Sequence, residues 1–321
     1  MVLQITFLGT SSGVPTRSRN VSSVALRLPQ RAEIWLFDCG EGTQHQFLRS
    51  DLRISQITRI FITHMHGDHI FGLMGLLASC GLAGNTSRID IYGPPGLEQY
   101  LQACRRYSQT HFSYTIQVHT VQPGIVYEDE EFIVTCGQLE HRVTTFGYRI
   151  QEKDRAGRFD VAKATALGIP SGPLYGKLKR GEQIVLPDGR EINGRDLCGT
   201  PEIGRKLAYC TDTIYCEAAV ELAQDADVLL HESTFAHQDA EMAYQRLHST
   251  STMAAQVALT AAVKLLFLTH FSPRYAPGNV LQLEELLQEA QTIFPNTKLA
   301  YDFLTYEIPR HQVAAPMQVR V

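Results

Sequence analysis

The 321-residue sequence predicts a layered α/β or α+β domain, and three observations predict it. Short apolar runs of strand length alternate with segments of helical period. No internal repeat recurs, and no linker-like stretch divides the chain. Apolar residues make up 44% of the sequence and charged residues 19%, a composition that supports a large core and excludes disorder as the main state. No apolar run approaches the roughly 18 residues that a membrane span needs. Residues 1–7 carry no basic leader and read as a strand, so neither a signal peptide nor a membrane partner is expected. Seven cysteines (39, 80, 104, 136, 198, 210 and 216) are odd in number, scattered, and nowhere spaced as CxxC. They read as buried thiols of a reducing, cytoplasmic compartment.

In chain order, residues 5–8, 24–28 and 34–37 are consecutive apolar strands. Further strands are expected at 59–63, 89–92, 115–119, 132–136, 145–150, 206–209, 228–230, 265–268 and 298–301. Helical periodicity marks 67–79, 96–107, 217–224, 252–263 and 281–293. Between Arg155 and Pro201 the pattern breaks: no period is sustained, and glycine and proline crowd residues 168–181. Such a stretch reads as an extended or protruding loop, and a loop of this length inside a domain is usually functional. The formal net charge of −4 hides an asymmetry there. Residues 149–206 hold 12 Lys+Arg against 8 Asp+Glu, a balance of +4 on a body of −8. A basic insert on an acidic body suits an anion.

The strongest local signal is His64-Met65-His66-Gly67-Asp68-His69, directly after the expected strand 59–63. Three imidazoles and a carboxylate within six residues offer borderline nitrogen and hard oxygen donors, a mixture suited to zinc or a similar divalent ion. Six residues cannot saturate two ions, so further donors are required elsewhere. They stand where other strands end: Glu140-His141 after 132–136, Asp212 after 206–209, and His270 after 265–268. Rigid strands that deliver ligands to one sheet rim fix a dinuclear geometry. A lone histidine is more often a satisfied core or surface residue, but seven candidates at four strand ends are not well explained that way. His45, His111, His119, His237 and His311 carry no such spacing and receive no role.

HxHxDH followed by spaced His, Asp and His resembles the metallo-β-lactamase superfamily, which implies a four-layer αββα sandwich with metals at one edge of the sheets. A narrower resemblance covers essentially the whole chain. Residues 7–15 (FLGTSSGVP), residues 37–44 (FDCGEGTQ) and His248-Ser249-Thr250 look like motifs of the RNase Z family in its short form, the tRNA 3′-processing endoribonucleases. The glycine-, proline- and lysine-rich insert resembles that family's tRNA-binding arm. One departure falls in its Pro-x-Lys-x-Arg-Asn loop, which here reads Pro15-Thr16-Arg17-Ser18-Arg19-Asn20. Arg17 keeps the charge of lysine while changing its geometry.

The resemblance implies one domain over 1–321 with an arm inserted at about 152–203. It implies two Zn²⁺ per subunit, with Mn²⁺ or another divalent ion as a substitute. His64, His66, His141 and Asp212 would hold one ion; Asp68, His69, Asp212 and His270 would hold the other. Two ions about 3.5–4 Å apart can share such a carboxylate. By the same resemblance Asp68 is the general base and His248 the proton donor to the leaving ribose oxygen. Arg17, Arg19, Asn20, Lys177, Lys179 and Arg180 would contact substrate. The substrate implied is precursor tRNA rather than DNA, cut behind the discriminator nucleotide to leave a 3′-hydroxyl and a 5′-phosphate, by a homodimer. A small-molecule hydrolase of the same fold, or a silent RNA-binding subunit, is the alternative; the former has little use for a basic arm, and the latter should have lost ligands. Three residues or pairs stay open on the residues alone. His231-Glu232 positions His248 or packs, and Tyr175 stacks on a base or packs. Asp38 and Glu41 lie at a strand-turn-helix boundary, where a cap and turn-stabilising role is the first reading and a catalytic Glu41 the other.

Overall fold

The computed structural model describes residues 2–310 apart from 83 and 85–87; His311 lies outside the described residues. The strands are β1 (Gln4–Gly9), β2 (Ser23–Leu28), β3 (Glu33–Phe37), β4 (Ile57–Phe61), β5 (Arg88–Gly93), β6 (Thr115–Thr120), β7 (Gly124–Glu128) and β8 (Phe132–Leu139). They continue as β9 (Thr145–Glu152), β10 (Gln183–Val185), β11 (Glu191–Asn193), β12 (Lys206–Cys210), β13 (Val228–Glu232), β14 (Leu266–Thr269), β15 (Thr297–Leu299) and β16 (Thr305–Glu307). The helices are α1 (Thr43–Leu48), α2 (Gly67–Ile70), α3 (Leu73–Leu82), α4 (Leu97–Ser108) and α5 (Val161–Ala166). After them come α6 (Pro173–Lys179), α7 (Glu217–Ala223), α8 (Ala240–Arg246), α9 (Ser251–Thr260) and α10 (Leu283–Ile293).

The chain divides into two compact units, residues 1–150 with 206–308, and residues 151–205 with 309 onward. The first holds two seven-stranded sheets, ordered β16-β1-β2-β3-β4-β5-β6 and β15-β14-β13-β12-β9-β8-β7. Each is antiparallel towards one end and parallel through β3-β4-β5-β6 and β12-β13-β14-β15. Side-chain alternation along each strand then builds four layers. Trp35 and Phe37 of β3 face the other sheet, meeting Phe132, Tyr148 and Tyr209, while Phe7 meets Phe267 at 5.4 Å between ring centroids. The intervening Ile34 and Leu36 face outward onto helices α1, α3 and α4. On the second sheet Leu207 and Tyr209 point inward, and Ala208 and Cys210 pack beneath α7, α9 and α10. The αββα sandwich follows from this alternation.

Where the structure departs from the sequence pattern, the cause is local. The helix expected over 67–79 is two helices, because the backbone breaks at Phe71-Gly72 to lie against the Cys39-Gly40 turn. Gly72 N–H donates to Cys39 O at 3.0 Å, and a Cβ on Gly72 would stand 2.0 Å from Gly40 O. Only glycine permits that approach.

The second unit is not a structureless loop. It contains α5 and α6, the β10-β11 hairpin, and a core of Phe159, Ala164, Ile169, Leu178, Ile184, Leu186 and Leu197. The elements run only three to seven residues, too short for a period to declare itself. Asp160 caps α5 by accepting from Lys163 N–H, and buried Glu152 pairs with buried Arg205 at 2.8 Å at the base of the unit. Tyr175, left open on sequence, packs here: its ring lies 5.0 Å from that of Phe159 and its hydroxyl donates to Ile169 O.

The β7-β8 turn carries a pH-sensitive clamp. Asp129 accepts from Tyr127 Oη, Arg31 and the backbone N–H groups of Glu131 and Phe132 at 2.5 to 2.8 Å. Burial alone would raise its pKa, but the Tyr127 and Arg31 bonds outweigh it and bring it down to about 2. The stabilisation is therefore complete above the unfolded carboxyl value of about 3.9 and is lost as pH falls through about 2. Asp129→Asn should cost about 1–2 kcal/mol in urea unfolding at pH 7, and the gap to wild type should shrink between about pH 4 and pH 2. A pH-independent gap would remove the carboxylate as its source.

Candidate metal centre

Five chain segments deliver donors to one rim of the first unit. The segment after β4 carries His64, His66, Asp68 and His69. The turn after β8 carries His141, the ends of β12 and β14 lead into Asp212 and His270, and the segment between α8 and α9 carries His248. Asp38 (φ 55°), Asp212 (φ 43°) and His270 (φ 56°) all adopt the left-handed region, where non-glycine residues are uncommon and are held by their surroundings. Aspartate and histidine tolerate it better than branched residues do.

Donor atoms gather in overlapping groups, the first formed by His64, His66, His141 and Asp212; donor atoms of Asp212, His248 and His270 also lie together. His64 Nε2 lies 3.0 Å and His141 Nε2 3.4 Å from His66 Nδ1. Asp212 Oδ2 lies 3.6 Å from His64 Nε2 and 3.9 Å from His141 Nε2. Asp68, His69 and His270 form the second group. His69 Nε2 and His270 Nε2 are 3.3 Å apart, each 3.4 Å from Asp68 Oδ2 and 3.2 Å from Asp212 Oδ1. Asp212 thus presents one oxygen to each group. All seven ligand candidates read from the sequence are brought together.

This donor set fits divalent cations. Burial, helped by the neighbouring His69, holds His64 well below its ordinary pKa, and burial lowers His66 and His141 as well. Neutral imidazole is the ligating form. Buried His69 shows the converse. Burial opposes its charge, yet Asp212, Asp68 and Asp38 pull its pKa well above the ordinary value. The protein demands positive charge at that point, and a divalent ion meets the demand.

The far sides of four histidine ligands are also held. His69 Nδ1 binds Asp38 Oδ2 at 2.8 Å, and buried Asp38 also accepts from Thr63 N–H, Thr63 Oγ1 and Tyr209 Oη. His64 Nδ1 meets Thr63 Oγ1, His270 Nδ1 meets Thr234 Oγ1, and His141 Nδ1 donates to Leu247 O. Asp38 is therefore an orienting residue, which corrects its reading as a cap; α1 begins at Gly42 with no side-chain cap from Asp38 or Glu41. The missed signal was Asp38's place at the end of β3, the same placement that marked the ligands.

His248 Nδ1 donates to buried Glu232 Oε1 at 2.8 Å. Burial opposes the imidazolium, but Glu232 and then Asp212 more than offset it and raise His248 to about 9. Glu232 is itself fixed by Thr213 N–H and Thr234 N–H. Of the pair left open, Glu232 orients His248; among the described residues His231 binds only the Glu232 carbonyl, through Nδ1. Helix α9 is capped by Thr250, not by His248.

The donors open on a cleft of 630 Å³ walled also by Ser12, Glu41, Phe71, Arg142, Phe235 and Arg246. The Pro15–Asn20 loop divides its candidates. Arg17 is exposed, whereas Arg19 donates to Thr10 Oγ1 and Ala300 O across the Phe271 ring, and Asn20 Nδ2 donates to Glu41 O. In the second unit Lys177, Lys179 and Arg180 are exposed on or beside α6, Arg180 pairing with Glu182.

The fold and the paired donor groups define a metallo-β-lactamase-type hydrolase with a divalent metal centre. Comparison agrees: the family described as Beta-lactamase superfamily domain matches residues 200–271, and that described as Anti-Pycsar protein Apyc1 matches residues 3–154. The chain is 81% identical to Ribonuclease Z of Cyanothece sp. over 309 residues, covering 96% of this chain and 97% of that one. It is 77% identical to Ribonuclease Z of Acaryochloris marina over 308 residues, covering 96% and 98%. The crystal structure of human tRNase Z, short form, superposes with a TM-score of 0.69 at 30% identity, covering 95% and 99%. The chain belongs to the ribonuclease Z family.

Asp38→Asn should weaken divalent-ion binding about 10- to 100-fold, read by competition with a chelating indicator. Unchanged affinity would leave Asp38 as a packing residue only.

Proposed function

We propose a division of labour within the cleft for the reaction that family membership assigns to the chain. The chain is an endoribonuclease that processes tRNA 3′ ends, hydrolysing the precursor phosphodiester behind the discriminator nucleotide. The observation that carries the assignment of roles is Asp212, one oxygen turned to each donor group. Two ions, zinc in our reading, would be held by His64, His66, His141 and Asp212, and by Asp68, His69, His270 and Asp212. When bound, such ions neutralise the phosphodiester's charge and acidify water.

Asp68 accepts Gly13 N–H at 2.8 Å through Oδ2, and among the described residues its Oδ1 has no hydrogen bond. That oxygen is the one we assign to orient the attacking water and take its proton. The leaving 3′-oxygen departs as an alkoxide unless it is protonated. His248, at the cleft wall and held in its charged form by Glu232, is placed to supply that proton.

The arm reading extends to the second unit. Lys177, Lys179 and Arg180 present positive charge without base-reading geometry, which suits the phosphates of the tRNA body. The homodimer and the cytoplasmic location are proposed with it. Family membership supports the first. The second rests on seven cysteines free of disulfides and on the absence, among the described residues, of any helix long and apolar enough to cross a membrane.

A 3′-extended precursor tRNA should be cut once, behind the discriminator, with activity lost to chelator and restored by zinc or manganese. In the same assay His248→Ala should slow single-turnover cleavage about 10²- to 10⁴-fold with metal content unchanged. Cleavage elsewhere, or turnover of only a small chromogenic phosphodiester, would overturn the tRNA assignment; metal loss would make His248 structural.

Replacing Lys177, Lys179 and Arg180 together by Gln should raise KM for precursor tRNA and flatten its salt dependence by about 2 in log–log slope, at about 0.7 per lost single-strand contact. Hydrolysis of the small phosphodiester should be untouched. Equal losses on both substrates would tie the three residues to folding instead.

A further inference from the structure

Two arginines that ligand spacing did not single out line the metal cleft. Arg142 follows the ligand His141 directly, on the turn between β8 and β9, and Arg246 ends α8 two residues before His248. Both are exposed, and both share a wall with His66, Asp68, Asp212, His248 and His270. Among the described residues neither has a hydrogen-bond or carboxylate partner. Elsewhere in the first unit, Arg31, Arg59 and Arg88 are committed to carboxylates.

Arg142 has the more telling position. The rings of its neighbour His141 and of His248 lie 4.8 Å apart, so the turn that bears Arg142 runs beside the path from the first donor group to the proton donor. A phosphodiester reaching from the metal ligands to His248 would lie in the cleft that Arg142 helps to line. The planar fork fits the oxygens of one phosphate, which a lysine would meet only as a point charge.

We propose that Arg142 binds a non-bridging oxygen of the scissile phosphate, joining the ligand groups and His248 as a residue that touches the reacting phosphorus centre. Negative charge grows on the non-bridging oxygens as hydroxide adds, and a fixed cation there acts more strongly on the transition state than on bound substrate. The contact should therefore appear in the rate of the chemical step more than in KM. Unlike Asp68 and His248, Arg142 neither accepts nor donates the transferred proton. This inference rests on the placement of the phosphodiester between the donor groups and His248.

The test uses the full chain loaded with zinc and three precursor tRNAs in single turnover: the natural phosphodiester and its two scissile phosphorothioate diastereomers. Arg142→Gln should lose about 10²-fold on the natural substrate with metal content unchanged, and Arg142→Lys should recover part of that rate. On one diastereomer, where sulfur replaces the contacted oxygen, the loss should fall to about tenfold or less, the non-additive signature of a direct contact. Arg246→Gln removes the same charge from the same wall and should lose equally on all three substrates. Equal losses for Arg142→Gln on all three substrates would overturn the proposal, as would the same diastereomer preference in Arg246→Gln, which would mark a diffuse charge effect. If Arg142→Gln binds less metal, Arg142→Lys decides, by the same comparison of diastereomers. Failure of the unaltered chain to cut precursor tRNA would count against the assigned reaction and not against this contact.

Discussion

Seven donor residues with lone pairs facing one another do not gather spontaneously, and holding them together is the constraint that the rest of the structure serves. Asp212 is where that constraint is tightest. It is 2% exposed, held in a left-handed backbone conformation, and divided between two histidine groups. Desolvating a carboxylate is costly, and the histidines around it together with the cations they attract are what make the burial tolerable. The parallel strands carry ligands out of their C-terminal ends, and the aromatic layer between the sheets, with Phe37 stacked on Phe61 at 5.1 Å, keeps those ends in register. Asp38, at the end of β3 beside β4, passes that rigidity on to His69, and is itself held by Thr63 and by Tyr209 of the other sheet.

Much of this was legible in the sequence, for a physical reason. Ligation demands particular residue types at particular strand ends, so His64, His66, Asp68, His69, His141, Asp212 and His270 announced themselves by chemistry and placement together. The layer order came with the family resemblance, because β3 and β12 are apolar on both faces and their pattern does not say which side meets a helix. Asp38 was not legible, because an aspartate before Cys-Gly-Glu-Gly satisfies the local rules for a turn, and that reading outweighed its place at a strand end, 31 residues from the histidine it holds. Arg142 was invisible for another reason: a guanidinium at a cleft wall has no spacing rule. Its meaning comes from what lies across the cleft.

The second unit shows where periodicity fails as a guide. α5, α6 and β10 bury one side chain each, Ala164, Leu178 and Ile184, and β11 buries none. A pattern of period needs at least two turns to show. Glycine and proline, read as signs of a loop, instead start α6 at Gly172-Pro173 and close the hairpin at Gly189. A small core of this kind lets a cationic surface keep a defined shape.

Leu247, in a left-handed conformation at the end of α8, gives its carbonyl to His141 and is joined by a peptide bond to His248. A displacement of this single peptide would therefore disturb ligand orientation and donor placement at once. Selection on this enzyme cannot tune acid strength at the leaving group and metal retention as separate traits through that segment. Variation in α8 should be inherited as a correlated change in both, leaving Glu232, on another strand, as the independent control.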